Sequence, residues 1–134
     1  MRSNAVIALR PETARDATPD AASWRPACTR RDLVADSGVV ALVDGRQVAL
    51  FYLPAVAGET LYALDNRDPK SGPNVIGRGI VGHLAGELVV ASPLYKQHFR
   101  LRDGACVEYP EQSLPAWPVR FNGDAVEVRP PAAR

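Results

Sequence analysis

Apolar positions along the chain fall in short blocks separated by turn residues, with no helical period. Val39-Val40-Ala41-Leu42-Val43 and Gln47-Val48-Ala49-Leu50-Phe51-Tyr52 flank Asp44-Gly45, a dipeptide suited to the tight turn of a β-hairpin. Leu61 to Leu64 and Leu88 to Ala91 are further strand-length runs, and each breaks into a polar loop containing proline. Gln97 to Leu101 is predicted as the return from the second loop. Asp103-Gly104 makes another tight turn before Cys106-Val107-Glu108. Val119-Arg120-Phe121 and Ala125-Val126-Glu127-Val128 flank Asn122-Gly123 as a last hairpin. Ile76 to Val81 holds too many glycines for a helix interior and is predicted as a short irregular strand or turn. One short helical turn is placed near Thr29–Val34, with Thr29 as its cap. Strands recurring roughly every eight to twelve residues with Asp-Gly or Asn-Gly turns predict an all-β sandwich or barrel. Leu53 through Glu59 is predicted to be a loop.

Residues 1–22 are rich in Ala, Thr, Asp and Arg, show no sustained period, and are predicted to form a disordered tail. The folded domain is placed at residues 23–131, opening on Trp24. A chain of 134 residues accommodates one such domain and can bury a core without a disulfide or metal staple.

Charge narrows the function classes. Sixteen basic against 15 acidic side chains leave the chain near neutral, and only Arg30-Arg31 are adjacent cations. That balance speaks against a nucleic-acid or membrane-surface binder, which needs a basic stripe. Two cysteines, Cys28 and Cys106, make no extracellular disulfide framework and are expected to be free buried thiols. No run is long and apolar enough for a transmembrane helix, and Val6-Ile7-Ala8-Leu9 is too short for a leader. A soluble cytoplasmic protein is the expectation.

Candidate chemistry lies in the two proline loops, which face one another in the sequence like halves of a clasp. The first brings Asp65, Asp68 and Lys70; the second brings Ser92, Tyr95, Lys96 and His98. Asp68 with His98 or His83 supplies too few ligands to argue for a metal. Ser92 with His98 and an aspartate lacks the strained turn of a nucleophile, so Ser92 before Pro93 is taken as a turn residue. Gly77-x-Gly79-x-x-Gly82 matches a dinucleotide fingerprint in spacing but opens no helix, and a glycine turn is the better account. Lys96 and Arg78 are either ordinary solvated charges or cations that hold an anion or meet a partner's carboxylates.

The loops Asp65-Asn66-Arg67-Asp68-Pro69-Lys70-Ser71-Gly72 and Ser92-Pro93-Leu94-Tyr95-Lys96-Gln97-His98-Phe99 resemble the two cluster-binding loops of a Rieske domain. That family supplies Cys-x-His from the first loop and Cys-Pro-x-His-Gly from the second, with a Phe three residues later. The four ligand positions fall on Asp68, Lys70, Ser92 and Tyr95, while Pro69, Pro93 and Phe99 keep the surrounding pattern. A Rieske centre takes two thiolates on one iron and two imidazoles on the other, so the resemblance implies the fold without the cluster.

Within that family the chain is similar to the small subunits of assimilatory NAD(P)H-dependent nitrite reductases. The likeness rests on Trp24, Gln47-Val48-Ala49-Leu50-Phe51, Arg78-Gly79-Ile80-Val81-Gly82 and above all Ser92-Pro93-Leu94-Tyr95-Lys96-Gln97. It covers roughly residues 24 to 128. The resemblance implies a Rieske-like antiparallel β-sandwich or barrel with two protruding loops. It also implies an oxidoreductase subunit with no cofactor or catalytic centre of its own. Its partner would be a large subunit carrying FAD, an iron–sulfur cluster and sirohaem, which reduces nitrite to ammonium. Arg78, Pro93, Leu94, Tyr95, Lys96 and Gln97 are the expected partner surface. The alternatives are a free-standing Rieske or ferredoxin-type electron carrier and an unrelated β-barrel interaction module.

Overall fold

The Asp44-Gly45 turn closes the longest hairpin in the protein, and the rest of the fold is layered on it. The computed structural model describes residues 23–55, 60–70 and 72–131, together with the backbone of Val6–Ala8. Among the described residues there are ten strands and no α-helix. In chain order they are β1 (Val6–Ala8), β2 (Arg25–Thr29), β3 (Ser37–Val43), β4 (Arg46–Tyr52) and β5 (Leu61–Asp65). They continue as β6 (Ile80–Leu84), β7 (Glu87–Ala91), β8 (His98–Arg100), β9 (Val119–Asn122) and β10 (Ala125–Val128).

These form a four-stranded sheet in the order β1-β3-β4-β5 and two three-stranded sheets, β2-β10-β9 and β6-β7-β8. All pairings are antiparallel except β1 with β3, where Val6 lies opposite Val40.

The larger sheet is the middle layer. Along β4, Val48 and Leu50 join one core cluster while Ala49 and Phe51 join the other. β5 divides the same way, Leu61 and Ala63 against Tyr62 and Leu64, as alternation along a strand requires. The sheet β2-β10-β9 covers the first cluster with Ala27, Cys28, Val126 and Val128; β6-β7-β8 covers the second with Val90 and Phe99. Because both faces of β4 and β5 are buried, their sequences are continuous apolar runs instead of alternating ones. Cys28 and Cys106 are both free and buried. Burial, and then the Asp32 carboxylate, push the Cys28 thiol up to about 12; burial also raises Cys106, so neither is a ready nucleophile.

Local departures from the expected elements have simple causes. Ile76–Arg78 is a single 3-10 turn, and Ile80–Leu84 is a regular strand paired with β7 across Ala85-Gly86. That turn was hidden because Ala85 takes a positive φ of 54° that alanine rarely adopts. Cys106-Val107-Glu108 makes only an isolated bridge, Cys106 to Phe99. The turn after Thr29 is a 3-10 turn over Arg30–Asp32, held by Asp32, whose carboxylate accepts from the Thr29 amide at 3.0 Å and hydroxyl at 3.1 Å. Apart from the backbone of β1, the expected tail lies outside the described residues, as do residues 56–59 of the Leu53–Glu59 loop.

One glycine is set by packing as well as by conformation. Gly104 has φ +78°, its carbonyl accepts from the Leu114 amide at 2.8 Å, and a Cβ there would sit 2.0 Å from the Leu114 carbonyl oxygen.

Candidate partner-binding site

The clasp stands on a firmly held base. At the end of β5, Asp65 accepts from the Trp117 indole at 2.7 Å and pairs with Arg46 at 2.8 Å. Asn66 is buried and spans three segments. Its amide donates to the Gln47 carbonyl, its Nδ2 to Gln47 Oε1 at 2.9 Å, and its Oδ1 accepts from the Gly77 amide at 2.6 Å. Nothing in the apolar pattern marked Asn66; it is a loop residue by type and a structural linchpin by contact.

Beyond Asn66 the two loops meet. Asp68 is fully buried, and Ser92 Oγ donates to its Oδ2 at 2.7 Å. Asp68 Oδ1 accepts from the Lys70 amide at 2.9 Å, so one carboxylate ties its own loop and the opposite one together. Above it, the Lys70 ammonium lies 4.5 Å from the centroid of the Tyr95 ring, within cation–π range. The four positions carried over from the resemblance therefore meet in two pairs, Asp68 with Ser92 inside and Lys70 with Tyr95 outside.

The second loop is a tight turn on Ser92, whose carbonyl accepts from the Lys96 amide at 3.0 Å and whose amide donates to the Gln97 carbonyl at 2.9 Å. Lys96 holds φ +61°, where a side chain costs about 1–2 kcal/mol relative to the right-handed region. The tip is exposed: Tyr95 at 53 %, Leu94 at 46 %, with Pro93 and Lys96 exposed as well, and so is Arg78 just before β6. Gln97, expected on the same surface, is instead 2 % exposed. Its Nε2 donates to Gln112 Oε1 at 3.0 Å, because the residue after Lys96 turns back into β8 and the core. Ile80, not singled out from the sequence, is 78 % exposed at the start of β6 and is paired with Ala91, immediately before Ser92.

The other candidate chemistry is dispersed. His98 Nδ1 pairs with Glu108 at 2.6 Å, while the Asp68 carboxylate is taken by Ser92 and the Lys70 amide. Ser92 donates to Asp68 with no imidazole between them, so there is no triad. Gly77-x-Gly79-x-x-Gly82 runs from a three-residue turn into β6 and opens no helix. Among the described residues no group of three or more His, Cys, Asp or Glu is placed to hold a metal ion. No helix there is long and apolar enough to cross a membrane.

Comparison with known proteins decides the family. Residues 23–129 match the Rieske-like [2Fe-2S] domain family. The NADH nitrite reductase small subunit of Escherichia coli K12 is 37 % identical over 106 residues, covering 79 % of this chain and 96 % of that protein. The chain belongs to the nitrite reductase small-subunit family. Its fold follows that of the solved E. coli protein NirD, with a TM-score of 0.71 at 36 % identity over 80 % of this chain and 96 % of NirD. The nitrite reductase [NAD(P)H] large subunit of Klebsiella oxytoca is 42 % identical over 105 residues. That match covers 78 % of this chain and 11 % of the Klebsiella protein. This chain thus spans about a tenth of that relative and nearly all of the small subunits.

The family's [2Fe–2S] cluster does not fit the residues present. Its four ligand positions hold a carboxylate, an ammonium, an aliphatic hydroxyl and a phenol in place of two thiolates and two imidazoles. A protonated Lys70 has no lone pair to give. Asp68 and Ser92 are bonded to each other, and both cysteines are buried outside the loops.

Proposed function

We propose that the chain is a cofactor-free small subunit of an NAD(P)H-dependent nitrite reductase, docked on the large subunit through the tip of the clasp. The Klebsiella protein carries this proposal: a counterpart of this domain is part of a single polypeptide named as a large subunit. A unit that is covalently part of its partner in one organism works in contact with that partner where the two are separate chains. On this reading the large subunit holds FAD, an iron–sulfur cluster and sirohaem and reduces nitrite to ammonium for assimilation, and this chain supplies the fit.

The chemistry of the tip supports docking. Tyr95 and Leu94 are exposed side chains suited to the centre of an interface, and Lys96 and Arg78 to its rim. Among the described residues neither Lys70, Arg78 nor Lys96 makes an ion pair. A partner patch carrying carboxylates would complement them. Lys96 adds a second argument, because the family pattern has glycine at this position and the chain keeps a lysine there in left-handed backbone.

Nitrite-dependent NAD(P)H oxidation by the large subunit, measured with and without this chain, tests the reading; equal rates together with no co-purification would sink it. The purified chain is expected to show no visible iron–sulfur absorption.

Two substitutions probe the tip. Tyr95→Ala is expected to weaken the complex by about 2 kcal/mol, the scale of a buried aromatic anchor. Lys96→Gly is expected to weaken the complex and make it less sensitive to salt, while stability rises by about 0–1 kcal/mol as backbone strain is relieved. Calorimetric titration beside thermal melts reads both signs, and a Lys96→Gly chain that binds as well as the original would remove lysine from the interface.

A further inference from the structure

We infer that the large subunit adds an extended segment to the outer edge of β6, next to the clasp; this rests on the docking proposal and names how part of the contact is made. β6 is an edge strand, paired with β7 on one side and with no strand on the other among the described residues. The direction of its free groups follows from its neighbours. The Leu101 amide donates to the Leu88 carbonyl, and the Ser92 amide to the Gln97 carbonyl, so the even-numbered residues of β7 turn their backbone towards β8. Glu87, Val89 and Ala91 therefore turn theirs towards β6, where they meet Leu84, Gly82 and Ile80. Val81 and His83 are left with N–H and C=O groups aimed out of the sheet, a repeat that a further strand can match.

This edge lacks the protection found at β5, β8, β2 and β9. The outer side of β5 is covered by the connector that leads into β9, residues 109–118, through Asp65 to Pro115 and Trp117 to Ala63 backbone bonds. β8 is covered by residues 105–107, through Arg100 to Ala105 and Val107 to His98. β2 carries Pro26, Arg25 and a register shift opposite Val126/Glu127, and β9 carries Arg120. β6 has no lysine, arginine, proline or bulge: Ile80-Val81-Gly82-His83-Leu84 pairs with β7 in unbroken register. A bare edge of this kind invites pairing unless a partner takes it.

Two observations point to the occupant. Ile80, 78 % exposed, opens β6 beside Ala91, so the edge is continuous with the clasp tip. The Klebsiella large subunit keeps a counterpart of this domain within its own chain, where a neighbouring segment is always at hand. The segment that fits is extended, with an apolar side chain against Ile80 and a carboxylate near Arg78.

The test uses the full chain and its large subunit, with His83→Pro and His83→Ala compared in titrations. His83 is exposed and its N–H faces away from β7, so proline there removes the outward donor while sparing the hairpin. Proline is expected to weaken the complex roughly tenfold or more and alanine less than about twofold, since only proline removes a backbone bond. In the unaltered complex, hydrogen exchange at the Val81 and His83 amides should slow on binding. Complex formation with equal affinity for His83→Pro, or exchange unchanged at both amides, overturns strand addition and leaves docking through the clasp standing. No complex with the unaltered chain overturns both. Concentration-dependent protection of the same amides in the chain alone, lost with His83→Pro, identifies a second copy as the occupant and also overturns the inference.

Discussion

Replacing Gly104 by alanine is expected to destabilise the fold by about 4 kcal/mol or more, the range reserved for backbone collisions and large core losses. Two costs combine at this site. The φ of +78° disfavours any side chain, and the added Cβ would stand 2.0 Å from the Leu114 carbonyl oxygen and 2.9 Å from its carbon. Both neighbours are backbone, and the same two residues share the Leu114 to Gly104 hydrogen bond. Relief requires the connector to lift away, which uncovers Leu114 and the second core cluster it helps close. Gly123 separates the two costs: its φ is +62° and a Cβ there meets nothing within 4 Å. Gly123→Ala should therefore cost only about 1–2 kcal/mol, the conformational part alone. Urea unfolding of the two variants side by side decides the matter; a Gly104→Ala midpoint close to that of Gly123→Ala would show that the connector yields freely.

Asp68→Ala should cost about 2–4 kcal/mol, because it strands the Ser92 hydroxyl and the Lys70 amide in a site with no exposure at the carboxylate. Asp68→Asn keeps the shape and one acceptor oxygen and should cost roughly half as much. Ser92→Ala removes the other half of the tie. Since both substitutions break one bond, the double variant should be less destabilised than the sum by about 0.5–3 kcal/mol. Thermal melts of the three variants close the cycle. Strict additivity would mean that Asp68 and Ser92 hold their loops independently and that the clasp is not latched by their bond.

Much of the fold was legible because its hairpins use common turn dipeptides. Asp44-Gly45 lies where the sequence places it, between β3 and β4, while the last hairpin turns one residue later than expected, on Gly123-Asp124, because Asn122 still pairs with Ala125 at the end of β9. The β6–β7 hairpin was not legible, since Ala85-Gly86 is an unusual turn and its glycine neighbours in sequence suggested irregularity. The parallel pairing of Val6–Ala8 with β3 joins segments far apart along the chain, which periodicity does not report. In the clasp, residue type announced loops but not burial. Asp68, Asn66 and Gln97 are polar residues that lie inside; contacts with Ser92 and Gly77 tie down the first two, while Gln97 donates to Gln112 and leaves its own Oε1 without a partner. Gly104 carried a turn signal, yet the collision that makes it indispensable comes from Leu114, which no local pattern links to it. Ile80 was one letter in a matched motif until its exposure and edge position were seen.

The way the domain begins and ends has a consequence of its own. Arg25 pairs with Val128 across β2 and β10, and the guanidiniums of Arg120 and Arg129 both lie over the Trp24 ring, at 4.2 and 4.6 Å. Entry and exit thus share one corner, on the sheet that closes the first core cluster, while the second clasp loop grows from the sheet that closes the other. Neighbouring ends let a unit be spliced into a longer polypeptide, or cut free of one, without disturbing its interior. Whether such a module travels tethered or alone is then a matter of gene architecture.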